Sequence, residues 1–174
     1  MNFFELIKSR RSVRVFKKQK MEKEKLIKIL EAANSAPSAG DLQSYEIYLI
    51  KSQEMKEQLS KAALGQSQIA NAAAVLVFCA SSKRALSKYG GRGTELYSIQ
   101  DATIACAYAQ LAVTELGLSS VWVGAFYEKE VANIIKSGPQ ERPVALLPIG
   151  YPAKKPNATP RRQLKELVHE EGEQ

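Results

Sequence analysis

Apolar positions recur along this chain with two different periods, and the places where the period changes divide it into elements. Leu26, Ile27, Leu30 and Ala33 fall at helical spacing and predict a helix over 22–35. It should end at Ala36-Pro37, because the residue before a proline avoids the α region. Helical spacing also marks 53–64, 128–136 and the long alanine-rich run 97–116, which Gly117 closes. Near the start, Asn2 is placed to cap a short helix over 3–8, with Phe3, Phe4 and Ile7 on one side. Apolar and β-branched runs without a helical period predict strands at 45–50 (YEIYLI), 75–79, 120–125 (SVWVGA) and 144–149 (VALLPI). The stretch 81–93 (SSKRALSKYGGRG) is polar and glycine-containing and predicts a loop or mobile lid. PSAGD at 37–41 is a loop with strong turn chemistry. Helices and strands intermingle without internal repeats, so a mixed α/β or α+β arrangement in one domain is expected.

Composition narrows the class. A chain of 174 residues with 45% hydrophobic and 25% charged side chains has the size and make-up of one globular domain. No apolar run reaches the roughly 18–20 residues that span a bilayer. The first residues carry no long apolar stretch, so no signal peptide is expected. Cys79 and Cys106 sit in apolar surroundings without CxxC spacing and read as buried thiols of a reducing, cytoplasmic protein. With His169 as the only histidine, neither a zinc site nor a histidine-based hydrolase is well supplied, and no metal site is expected. Chemistry here calls for an organic cofactor.

Charge adds a location. The 25 Lys and Arg exceed the 18 Asp and Glu by seven. The segment 8–20, KSRRSVRVFKKQK, holds seven bases and no acid, so it accounts for the whole surplus. Its middle, 12–16, alternates β-branched residues and reads as extended chain, which puts Ser12 and Arg14 on one face with Arg10 near them. Guanidinium groups with a nearby hydroxyl suit a phosphate. A solvated basic segment and a nucleic-acid-binding arm are the other readings. The interleaved Val13, Val15 and Phe16 favour a packed segment, and no second basic cluster with stacking aromatics supports a groove reader. Lys8, Lys17, Lys18 and Lys20 are expected to face solvent.

Five segments in order now carry a resemblance: RRSVRVF, AANSAPSAGDLQSYEI, SIQDATIACAYAQLAVTELGLSSVWVGAF, LLPIGYPAKKP and PRRQLKELVHEE. Over nearly the whole chain this resembles the nitroreductase-like family of FMN-dependent oxidoreductases. The resemblance implies an α+β fold, an α/β sandwich around a mostly antiparallel sheet flanked by helices, in an intertwined homodimer with FMN at the interface. It implies one domain over 1–174, with a tail from about 153 to 174 extending over the partner.

The family pattern also implies roles. Arg10, Arg11, Ser12 and Arg14 match its phosphate- and flavin-contacting segment. Arg161 and Arg162 match a C-terminal basic pair, either of which would reach the phosphate. Pro37, Ser38, Ala39 and Asp41 match a loop that approaches the flavin from the partner subunit. Asp41 stands where asparagine is common, and Ser44-Tyr45 where Pro-Trp is common. Val123, Gly124 and Ala125 match the segment along the flavin ring, where glycine permits close approach. Trp122 is read as core packing, Gln66 as a contact to the ring edge or none, and Asp101 as structural. Tyr89, Gly90, Gly91 and Arg92 are read either as a substrate lid or as a plain loop. The implied activity passes hydride from NAD(P)H through flavin N5 to a nitroaromatic, quinone or similar electrophile in a two-step cycle. No catalytic side chain, nucleic acid or membrane is required. The alternatives are a flavin-binding protein with other flavin chemistry or no turnover, and a basic nucleic-acid-binding module.

Overall fold

A single strand with apolar side chains on both faces organises the molecule. In the computed structural model, which describes residues 2–171, that strand is β2 (Ala74–Ser81), buried along its whole length. Before it come α1 (Phe3–Ser9), α2 (Lys23–Asn34), β1 (Tyr45–Ile50), α3 (Gln53–Ala62) and the short α4 (Ser67–Ala70). After it come α5 (Ser82–Arg92), α6 (Ser98–Glu115), β3 (Ser119–Ser120), α7 (Glu128–Ile135) and β4 (Glu141–Gly150). The strands form one antiparallel sheet in the order β1-β2-β4-β3, with Ile50 opposite Val75 and Ala74 opposite Ile149. The register shifts between Phe78 and Cys79.

Alternation along β2 divides the core in two. Val75, Val77 and Cys79 join Leu59, Ile69, Val131 and Leu146 beneath α3, α4 and α7. Leu76 and Phe78 face the other way, against Leu26, Ile29, Ala105, Ala109 and Leu147 beneath α2 and α6. The alanines of α6 let it lie close to both the sheet and α2. This is the helix-flanked, antiparallel α+β sandwich that the sequence resemblance implies. Among the described residues, no helix is long and apolar enough to cross a membrane.

The helices and strands expected from periodicity form, and β1 has the expected ends. Three segments differ. The polar stretch 81–93 is mostly helical and not a loop: within α5 only Ala85 is fully buried, Ser82 and Tyr89 are half-buried and the other side chains are exposed, so a one-sided helix reads as polar sequence. Gly90 (φ 55°, ψ −142°) kinks it, and Gly93 packs where a Cβ would come within 2.6 Å of the Ala85 carbonyl oxygen. A π-helical turn, Gly93–Tyr97, then leads into α6. The strand expected over 120–125 pairs as a strand only at Ser119–Ser120 and touches the sheet again through Val123. Val15, expected to pack, is 55% exposed. The chain beyond 153 is exposed as far as it is described; of the proposed tail, 172–174 lie outside the described residues, as does Met1.

Because Phe78 sits at the centre of the sheet with no exposed surface, Phe78→Ala is expected to cost about 3–5 kcal/mol. Urea denaturation followed by circular dichroism checks this.

Candidate functional site

Helix α1 delivers the basic block. Asn2 and Glu5 form a reciprocal capping box at its start. At its end Arg10 N–H donates to the Leu6 carbonyl at 3.1 Å, and Arg11 Nη1 donates to the carbonyls of Lys8 at 2.5 Å and Arg10 at 2.9 Å. Arg11 thus satisfies carbonyls that a helix end leaves without partners. The chain then runs extended along the sheet. Val13 N–H donates to Ser120 O at 3.0 Å, Ala153 N–H to Val15 O at 2.9 Å, and Lys17 N–H to Tyr151 O at 2.8 Å. Val13 and Phe16 are buried, and the Phe16 ring lies against Gly150, where an added Cβ would stand 3.1 Å from it.

With Val13 turned inward, Ser12 and Arg14 are left outside. Together with Lys8, Arg10 and Arg11 they line a cavity of about 510 Å³. The tail closes its other side with Asn157, Thr159 and Arg161, and among the described residues no acid lines it. Arg161 Nη1 is steadied by donating to Thr159 Oγ1 at 2.7 Å. Arg162 does not line the cavity; its Nε stands 3.5 Å from Glu166 Oε2. Lys8 is exposed, as expected, and also belongs to the cavity wall. Burial, then the like charges of Arg161 and Arg11, push Arg10 below its ordinary pKa. Cations gathered in partial burial with no acid among them suit an anion, and guanidinium forks beside the Ser12 hydroxyl suit a phosphate. The residues present therefore fit the phosphate of FMN.

Ser12 is bridged to Ser120, and the chain from Ser120 leads along the same edge to Val123. Val123 is buried and exchanges two hydrogen bonds of 2.9 Å with Leu146. That anchor leaves Gly124 and Ala125 exposed. Gln66 Nε2 donates to Ala125 O at 3.0 Å and Gln68 Nε2 to Gln66 Oε1 at 2.9 Å, so Gln66 is held beside this segment. Trp122 packs in the core under α2 and α6.

The loop at 37–44 lies elsewhere in the same chain. Pro37, Ser38 and Ala39 line a separate, largely apolar cavity of about 540 Å³ with Tyr97, Gln100 and Ile104. Gly40, Asp41 and Gln43 all have positive φ (56°, 59° and 47°). Asp41 tolerates that conformation; its carboxylate is exposed, and the turn there is closed by its own N–H donating to Ser38 O at 3.2 Å. What holds the loop is Asp101 on α6, only 2% exposed, which accepts from Ala39 N–H at 2.9 Å and Ser44 N–H at 3.2 Å. Ser38 Oγ accepts from Gln43 N–H at 2.9 Å. Lys88 and Tyr89 of α5 cover Gly40 so closely that a Cβ there would meet the Tyr89 hydroxyl at 2.3 Å. The anchoring role of Asp101 had one sequence signal, an acid in the first turn of a helix otherwise rich in alanine.

Comparison with known proteins identifies the family and the fold. The model of the Nitroreductase family matches residues 7–151. An FMN reductase [NAD(P)H] of Bacillus subtilis is 31% identical over 183 residues, covering 96% of this chain and 74% of that protein. An oxygen-insensitive NADPH nitroreductase of Salmonella typhimurium is 30% identical over 173 residues, covering 95% and 72%. Among solved structures, nitroreductase A of Vibrio parahaemolyticus superposes with a TM-score of 0.91 at 28% identity, over 100% of this chain and 77% of that one.

Removing the carboxylate strands two loop amides that it now satisfies. Asp101→Ala is expected to cost about 2–4 kcal/mol and to speed hydrogen exchange selectively at the Ala39 and Ser44 amides, read by NMR.

Proposed function

The chain belongs to the nitroreductase family, and from that premise we propose that it is an FMN-dependent oxidoreductase that uses NAD(P)H to reduce a small electrophile such as a nitroaromatic or a quinone. The observation that carries the reading is the acid-free cavity formed by Arg10, Arg11, Ser12, Arg14 and Arg161. Bound FMN would supply the redox chemistry, accepting hydride from the reduced nicotinamide and returning it to the acceptor. The arginines and Ser12 would hold the phosphate, and their positive charge would favour the reduced, more negative state.

Val123 fixes the backbone, so that Gly124 and Ala125 present a bare edge against which a flat ring can lie. Gln66 holds the Ala125 carbonyl in place. No histidine or carboxylate lies among 123–125, so this segment orients and does not transfer protons. Donor and acceptor would use the same exposed face in turn, which makes the cycle ping-pong.

The site is proposed to be shared between two copies of the chain in a homodimer. Within one chain the arginine cavity and the loop carrying Pro37, Ser38, Ala39 and Asp41 line different cavities, as two halves of a shared site would. Helix α1 buries none of its side chains, and Phe3, Phe4 and Ile7 are 61%, 69% and 42% exposed. Leu164 and Val168 in the tail are likewise exposed. A second copy would cover these surfaces, with the segment from 153 onward reaching across it. The buried thiols of Cys79 and Cys106 support a reducing, cytoplasmic setting.

The purified chain, reconstituted with FMN and gel-filtered, is expected to keep the visible absorbance of bound flavin. It should then oxidise NAD(P)H when a quinone or nitroaromatic is present. A protein that stays colourless after reconstitution overturns the reading. Arg14→Ala is expected to weaken FMN binding by about 10–100-fold, or about 1.4–2.8 kcal/mol, by flavin fluorescence titration; unchanged affinity removes Arg14 from the phosphate site.

A further inference from the structure

The lysines that complete the basic block are exposed, as expected, but they are not scattered. Beyond Phe16 the chain turns, and Lys17, Lys18 and Lys20 come to line a second cavity of about 530 Å³. Lys51 at the end of β1 and Lys56 on α3 join them, brought there from a different part of the sequence. Asn71 and the backbone of 70–73 form the floor. Among the described residues no acid lines this cavity, and none of the five ammonium groups has a carboxylate within 4 Å.

One of the five sets this cluster apart from a solvated face. Lys56 is 7% exposed, and its Nζ donates to the Ala72 carbonyl at 2.6 Å. Burial pushes its pKa below the ordinary lysine value, partly offset by Glu57 one position on along α3. A lysine is rarely buried without an ionic partner, and here its neighbours around the hollow are four more cations.

We propose that this lysine cavity is an anion-binding site, separate from the arginine cavity, that takes a short polyphosphate chain. Several compact ammonium groups spread around a hollow match an anion whose charge is distributed over linked phosphates, which Lys meets as point charges. A planar carboxylate would be served better by a guanidinium fork, and none lines the cavity. No aromatic side chain lines it either, so it offers no stacking platform for nucleobases and favours a compact phosphate chain over a nucleic acid. The chain can come from free inorganic polyphosphate or from the tail of a nucleoside triphosphate.

Calorimetric titration of the full-length, FMN-reconstituted protein with sodium tripolyphosphate tests this. Saturable binding is expected that weakens steeply with added salt. It should fall at least tenfold in the Lys18→Gln/Lys51→Gln variant, whose exchanged side chains are exposed and whose fold should be unaffected. Parallel titrations with ATP identify the source. Equal affinity for ATP shows that a nucleotide tail suffices, and exclusion of ATP assigns the site to free polyphosphate. The lysine variant reads this cavity whether or not FMN binds, so failure here is separable from failure of the flavin reading. The proposal is overturned by absence of binding, by binding that the lysine variant retains, or by tighter, lysine-dependent binding of duplex DNA.

Discussion

The segment that accounts for the chain's excess positive charge is held to the sheet by two apolar side chains, and both cavities depend on that anchoring. Val13 and Phe16 are buried, and three backbone hydrogen bonds tie the stretch between them to Ser120, Tyr151 and Ala153. Burying each side chain contributes about 1.5–3 kcal/mol. A pair of exposed like charges some 4 Å apart opposes by about 1 kcal/mol, less in salt. The apolar anchors therefore outweigh the repulsion among Arg10, Arg11, Arg14 and the following lysines. A block that would otherwise spread into solvent is fixed as a wall with cations on either side of a buried stretch.

The same balance explains which parts could be read from the amino-acid sequence. The alternation of Val13 against Ser12 and Arg14 is local, and it carries the arginine face correctly. Val15 continues the alternation yet stands exposed, because Phe16 takes the inward position against Gly150. Strand β1 has the expected ends because its apolar run is bounded by turn residues. Helix α5 was hidden because only Ala85 is fully buried, so its sequence looks like a loop. The pairing of β3 is short although β4 runs on beside the same segment and meets it again where Val123 bridges Leu146, and nothing within 119–125 encodes that gap.

Juxtapositions between distant segments were the least legible part of the site. Arg161 and Arg162 are neighbours of one residue type, and only the path of the tail separates the one lining the cavity from the one pairing with Glu166. Asp101 looks like an ordinary polar position until the fold sets it against the amides of Ala39 and Ser44, where it offsets the strain of two left-handed non-glycine residues, Asp41 and Gln43, in one loop. Lys51 and Lys56 lie outside the basic block and belong to a stretch of chain that is balanced in charge. Their meeting with Lys17, Lys18 and Lys20 is a product of topology: the turn before α2 and the end of β1 reach the same end of the sheet.

The choice of base on either side of Phe16 follows from how rigidly each part of the chain is held. Arg10 to Arg14 occupy a helix end and a paired extended segment, both with fixed backbone. A guanidinium fork contributes most in such a setting, because its planar geometry selects a phosphate only when its base is immobile. Past Phe16 the block runs through a turn, where the backbone no longer sets side-chain direction so closely. Ammonium groups on flexible stems lose less there, since their attraction to an anion depends on distance more than on angle. Lys56 is the exception that gives the lysine group a fixed point: its amine is oriented by the Ala72 carbonyl. The surplus charge is thus divided by geometry into a directional site and an adaptable one, with a buried phenylalanine between them.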